Sequence, residues 1–90
     1  MKGIITVLGK DKVGIIAGVC TYLAGQNVNI LDISQTIVQD YFNMMMIVDA
    51  SNAAKAFEGL VEDLQQLGIE IGVEIKLQHE DIFNTMHRIY

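Results

Sequence analysis

The run Ile4-Ile5-Thr6-Val7-Leu8 is apolar on both faces that a strand would present, except at Thr6. A strand of that kind is covered on two sides and belongs inside a sheet rather than at its edge. Directly after it comes Gly9-Lys10-Asp11-Lys12-Val13-Gly14, a polar turn bounded by glycines, and then apolar residues at helical spacing. A strand is expected over residues 3–8 and a helix over 13–25. Such a start sets several backbone N–H groups at the positive end of a helix dipole, just beyond a central strand. That geometry favours a carboxylate, a phosphate or another acceptor. A turn of this type also occurs where nothing binds, with glycine supplying a positive φ and Asp11 capping the helix.

In the first helix, Ile16, Val19, Cys20, Leu23 and Ala24 recur at helical spacing and are expected to form its inner stripe. Gly14 and Gly18 lie four apart, and each costs about 1 kcal/mol relative to Ala in a helix interior. Close backbone approach, by the sheet or by a ligand, explains such a pair. Gly25 suits the left-handed position that stops the helix.

A second strand is expected over residues 28–39. Val28 and Ile30 share one phase, whereas Ile33, Gln35 and Ile37 share the other, so the slip at Leu31-Asp32 implies a bulge or bend. Gln39-Asp40 reads as a hairpin tip. The third strand, 41–49, puts Phe42, Met44, Met46 and Val48 on one face and Met45 and Ile47 on the other, and is therefore expected to be covered on both. Ser51 or Asn52 is expected to cap a second helix running to Leu67, with Ala53, Phe57, Leu60, Val61, Leu64 and Leu67 as its buried stripe and Gly68 as its stop. Clean alternation predicts a fourth strand over 69–77 with one wet face, as suits an edge. Residues 79–90 return to helical spacing through Ile82, Phe83, Met86, Ile89 and Tyr90, which predicts a short C-terminal amphipathic helix.

The order β-α-β-β-α-β, with right-handed crossovers, gives an α+β ferredoxin-like sandwich. Its four-stranded antiparallel sheet runs 4-1-3-2, with two helices on one face and the terminal helix or a partner chain over the other. Ninety residues are expected to form one domain spanning residues 1–90. Hydrophobic content of 51% is high for so small a chain and points to apolar surface shared with a second copy.

Fold alone does not give function, but each activity of this architecture leaves its own residues. A soft-metal carrier needs a pair of thiolates in the first turn, and the only cysteine, Cys20, falls on the inner face of the first helix. Acylphosphatase-like catalysis needs an arginine in that turn; the sole arginine is Arg88. RNA-binding sheets display aromatics and basic residues, whereas here Met and Ile occupy the strands and the net charge is −5. That charge also argues against nonspecific nucleic-acid binding. His79 and His87 lack the i, i+4 spacing of a zinc helix, and Ser34 and Ser51 have no histidine nearby. No catalytic residue, metal or cofactor is expected. The single cysteine suits a reducing compartment, and no apolar run reaches the ~18–20 residues of a membrane span. A soluble cytoplasmic protein is expected.

Gly9-x-Asp11-x-x-Gly14-Ile15, a helix ending near Gly25, and Asn27-Val28-Asn29-Ile30-x-Asp32 leading into the second strand together resemble the ACT domain, over essentially all of residues 1–90. With Ile33-Ser34-Gln35-Thr36 adjoining, the chain resembles free-standing single-ACT proteins of prokaryotes, which are homodimers related to the ACT modules of the glycine-cleavage repressor. The resemblance implies regulatory binding of an amino acid at a subunit interface. The turn residues Gly9, Lys10, Asp11, Lys12 and Gly14 would hold the ligand carboxylate. Asn29 and Asp32, from the partner chain, would meet its amino group. Many ACT domains carry proline where Val13 stands, so this turn is expected to be less preorganised. Asn29 and Asp32 also fit ordinary turn chemistry before a strand. A ligand-free alternative is an interaction module that docks on a metabolic enzyme or regulator.

Overall fold

The computed structural model describes residues 1–81. Its elements are β1 (Lys2–Lys10), α1 (Ile15–Gly25), β2 (Asn29–Val38), β3 (Tyr41–Asp49), α2 (Phe57–Ile71) and β4 (Val73–His79). The sheet runs β2-β3-β1-β4, every neighbouring pair antiparallel, which is the ferredoxin-like order expected from the sequence. Of the helix expected over 79–90, residues 82–90 lie outside the described ones.

One apolar core holds the layers together. Ile5 and Val7 of β1, Phe42, Met44, Met46 and Val48 of β3, and Ile75 and Leu77 of β4 pack against Ile15, Val19 and Leu23 of α1 and Leu60 and Leu64 of α2. Burying side chains of this size stabilises by roughly 1.5–3 kcal/mol each. The four inward residues of β3 are those its alternation predicts. Along β1, however, Ile4 is 5% exposed and Leu8 52%, although both face away from the helices. Met45, on that same outer face of β3, is 42% exposed. Leu8 and Met45 are thus exposed on the face where cover by the terminal helix or a partner chain was expected, and that cover lies outside the described residues.

The predicted bulge is present. Ile30 pairs with Val48 and Asp32 with Ile47, which leaves Leu31 as the surplus residue. The hairpin tip is also where expected, with Gln39 at a φ of 57°.

Three helix boundaries differ from expectation. The first helix begins at Ile15, not Val13, because Gly14 at a φ of 96° stands in the N-cap position. Its buried residues are Ile15, Val19 and Leu23, while Ile16 and Ala24 are exposed and Cys20 is half-buried against the core. The stripe is therefore turned by about one residue.

The second helix begins at Phe57, after an extended Ala56, and neither Ser51 nor Asn52 caps it. Ser51 instead bonds to Asp49 and to the chain's N-terminal ammonium, and the Asn52 carbonyl accepts from Asn27 Nδ2 at 3.0 Å. The helix also passes through Gly68 and ends at Gly72, whose φ is 92°. Gly68 is a contact residue rather than a stop: a methyl group there would meet the Val73 carbonyl oxygen at 2.6 Å. The alternation of Ile69 and Ile71 continued that of Val73, Ile75 and Leu77 and concealed the helix end. β4 consequently starts at Val73 and not at Ile69.

Candidate ligand-binding site

The 9–14 turn crosses the top of the sheet, where β1 ends. Three of its residues have structural contacts of their own. A methyl group at Gly9 would stand 2.7 Å from Val73 Cγ1, so glycine lets β4 close against β1. Lys10 Nζ lies 5.9 Å from the centre of the Tyr41 ring, within cation–π range. Lys12 reaches the C-terminal end of α2, where a methyl at Gly72 would meet its Nζ at 2.7 Å. A cation there complements the helix dipole.

Asp11 does not cap α1. Its N–H donates to the Asp40 carbonyl at 2.8 Å, which ties the turn to the β2–β3 hairpin. α1 therefore has no side-chain cap and no acidic residue in its first turn. The amides of Ile15, Ile16 and Ala17 precede the first helical bond, Gly18 N–H to Gly14 C=O at 2.9 Å, and have no backbone partner among the described residues. Val13 stands fully exposed at the crest. Gly18 belongs to packing, since a methyl there would meet Ile71 Cδ1 at 2.9 Å.

The strand-two residues lie elsewhere. Asn29 pairs with Asp49, which pairs in turn with Lys2 at the start of β1. From Lys2 to Lys10 is eight residues, or ~26 Å of strand. Asn29 and the turn are thus at opposite ends of the sheet. Asp32 lies three residues further along, on the face away from the helices, and its Oδ1 accepts from the Ile33 N–H at 2.8 Å. In one copy, Gly9, Lys10, Asp11, Lys12 and Gly14 come together while Asn29 and Asp32 do not join them.

Around Asn29 the structure forms a polar cavity of about 430 Å³, lined by Ala24, Asn27, Val28, Asn29, Asp49 and Asn52. Sequence reading passed over Asp49 and Asn52, because their approach to Asn29 depends on strand pairing and on the path after β3. Asp49 is held below the usual carboxylate range, chiefly by hydrogen bonds from the Ser51 hydroxyl and amide, with the N-terminal ammonium adding a smaller effect. A larger cavity, about 640 Å³, runs along the β4 edge between Leu8, Val61, Ile69 and Val73, far from Asn29. Among the described residues no cluster of His, Cys, Asp and Glu is arranged to hold a metal ion.

Comparison with known proteins gives the family. A family model described as the ACT domain matches residues 3–78. The chain belongs to the ACT domain family. A UPF0237 protein of Bifidobacterium longum is 64% identical over 88 residues, covering 98% of each chain. A solved ACT domain protein from Streptococcus pneumoniae superposes with a TM-score of 0.81 at 42% identity, over 100% of this chain and 98% of that one. The ligand-free regulatory subunit of aspartate kinase from Thermus thermophilus gives a TM-score of 0.66 at 26% identity, covering 86% of this chain and 50% of that one. The ACT fold is thus shared both with a chain of the same length and with part of a longer regulatory subunit. Among the described residues no helix is long and apolar enough to cross a membrane.

Proposed function

We propose that this ACT protein is a cytoplasmic regulatory protein, without catalysis, that binds an amino acid at the seam between two copies of itself. The observation that carries the reading is the ~26 Å between the turn that offers amide donors and the Asn29 end that offers acceptors. A zwitterion needs both within a few ångströms, so a single copy cannot supply them. A two-fold pairing along β2 can. The 9–14 turn is tied to the hairpin at the far end of β2, and antiparallel pairing of two β2 strands sets that end of one copy beside Asn29 of the other. In this arrangement Gly14 and the first amides of α1 take the carboxylate. Lys10 and Lys12 raise the local positive potential, Gly9 and Asp11 hold the turn in shape, and Asn29 accepts from the ammonium. Asp32 shapes the strand nearby.

The edge itself supports this pairing. β2 is ten residues long, Asn-Ile-Leu-Asp-Ile-Ser-Gln-Thr-Ile-Val, and has no Lys, Arg, Pro or Gly to discourage another strand. Leu31, Ile33, Ile37 and Val38 are all exposed along it. Ligand bound across the seam would regulate by favouring one arrangement of the pair over another, read by a separate enzyme or regulator. Leu8 and Met45, exposed on the outer sheet face, favour a second reading in which that face docks on such a partner without any ligand.

The test is a thermal-shift screen against the common amino acids at millimolar concentration. A ligand at 100 times its Kd raises stability by about 2.7 kcal/mol. The expected result is a shift for one amino acid or a few related ones, lost in Gly14→Val and Asn29→Ala. No shift with any of them, or a shift that both variants retain, overturns the amino-acid reading.

A further inference from the structure

We infer that the ammonium subsite is built around Asp49, with Asn29 and the C-terminal end of α1, and not around Asp32. The inference rests on the seam reading for the rest of the ligand, but the subsite itself stands on four observations within one chain.

Asp49 lies directly across the ladder from Asn29, at a Cα separation of about 4.5–5.5 Å, and both line the cavity with Asn27 and Asn52. Asp32 is outside that cavity, and one of its oxygens is bonded to the Ile33 amide at the bulge. The C-terminal end of α1 meets the cavity at Ala24 and Asn27. Backbone N–H groups already bond the Tyr22, Leu23 and Ala24 carbonyls, but its last turn holds no basic residue, so the dipole's negative end has no side-chain cation of its own. Near it Gln26 Oε1 is buried and has no donor among the described residues.

Asp49 already holds an ammonium, although neither that group's residue, Met1, nor Ser51 lines the cavity. The N-terminal amine of Met1 lies 3.5 Å from Asp49 Oδ1 and 2.5 Å from Ser51 Oγ. Ser51 donates to the same oxygen from its amide, at 2.9 Å, and from its hydroxyl, at 2.6 Å. The three bonds to Asp49 fall on Oδ1, and among the described residues Oδ2 takes none. The Asp49 side chain is 41% exposed, so a second ammonium can reach it. Among the described residues, besides Met1, Lys2 is the cation paired with Asp49, on β1. An ammonium in the cavity would have Asp49, Asn29 and the end of α1 as neighbours.

The experiment separates the two ends of a zwitterion. Side-chain amide signals of Asn27, Asn29 and Asn52 are followed by nitrogen-edited NMR while the intact protein is titrated with glycinamide, which has an ammonium and no carboxylate. Parallel titrations use N-acetylglycine, which has the reverse, and sodium chloride at equal ionic strength. Glycinamide alone is expected to move the three signals. Asp49→Asn is expected to weaken that response at least ten-fold, and Asp32→Asn to leave it unchanged. Should Asp49→Asn fail to fold, Ser51→Ala, which frees Asp49 to turn away, is expected to weaken it in the same direction. Signals indifferent to glycinamide, equally sensitive to sodium chloride, or unaltered by Asp49→Asn overturn the inference. A glycinamide response in a protein that no amino acid stabilises would support the subsite while refuting the amino-acid seam.

Discussion

The two edges of the sheet are built on different rules. β4 is short, carries Glu74 and Lys76 3.1 Å apart on its outer face, and is pinned beneath α2 by Gly68. β2 is longer, almost uncharged and exposed along nearly its whole length, Ile33 and Ile37 included. Both positions are equally terminal in the sheet, so the contrast comes from sequence. One edge is closed by charge and by packing against its own chain. The other keeps its backbone groups and apolar side chains available, which is the character of a strand that pairs with a copy of itself.

The widest gap between the edges is expected from charge placed on each. Ile33→Lys with Ile37→Lys should convert the protein to a particle of the single-chain mass, 10.0 kDa, in sedimentation. Lys76→Glu on β4 should leave association unchanged. Equal loss from both edges, or from neither, would remove the distinction. Next in size is Gly68→Ala, which forces a methyl against the Val73 carbonyl oxygen and should cost about 1–3 kcal/mol in chemical denaturation. Because it loosens only the β4 side, the folded fraction should associate as before. Gly72→Ala, at a φ of 92° and against Lys12, should cost about 1–2 kcal/mol by the same measurement.

The smallest effect concerns the tie between the helices. Tyr22 donates its hydroxyl to Asp63 Oδ2, which also receives Lys55 Nζ at 2.6 Å. Burial, then the Asp63 bond, pushes the Tyr22 hydroxyl well above its usual range. Asp63 is held below the usual carboxylate range, first by Lys55 and then by Tyr22. A carboxyl lowered in the folded state stabilises above its unfolded value, near pH 4, and that stability is lost as the pH falls through the lower folded value. Tm should therefore fall on acidification below about pH 4, less steeply in Asp63→Asn. Tyr22→Phe should lower Tm by about 5 °C or less at neutral pH.

The inner face of β3, the bulge and the sheet order were legible because burial writes a period of two into β3, and the crossover rule does the rest. The helix ends were not. Gly68 looked like a stop because its reason for being glycine, contact with a strand five residues later, is tertiary. Ser51 and Asn52 have the chemistry of caps, but the Ser51 hydroxyl went to Asp49 and Met1, and Asn52 is tied to Asn27 through its backbone carbonyl. At the site, the turn was legible from Gly9 and Gly14 as a local strand-to-helix change. Asp49 was hidden, since nothing in the sequence brings it within reach of Asn29 until β2 and β3 are paired.

The surplus residue at Leu31 has a further implication. Ile30 and Val48 face the helices and the next pair, Asp32 and Ile47, faces away, so excising Leu31 would give an uninterrupted strand with every flanking side chain still on its present side. The extra residue is therefore not a correction of facing. What it contributes is local coiling of the ribbon, setting the angle at which any neighbouring strand could lie down beside it. A one-residue deletion there would leave the interior intact and misalign only what rests against the outside.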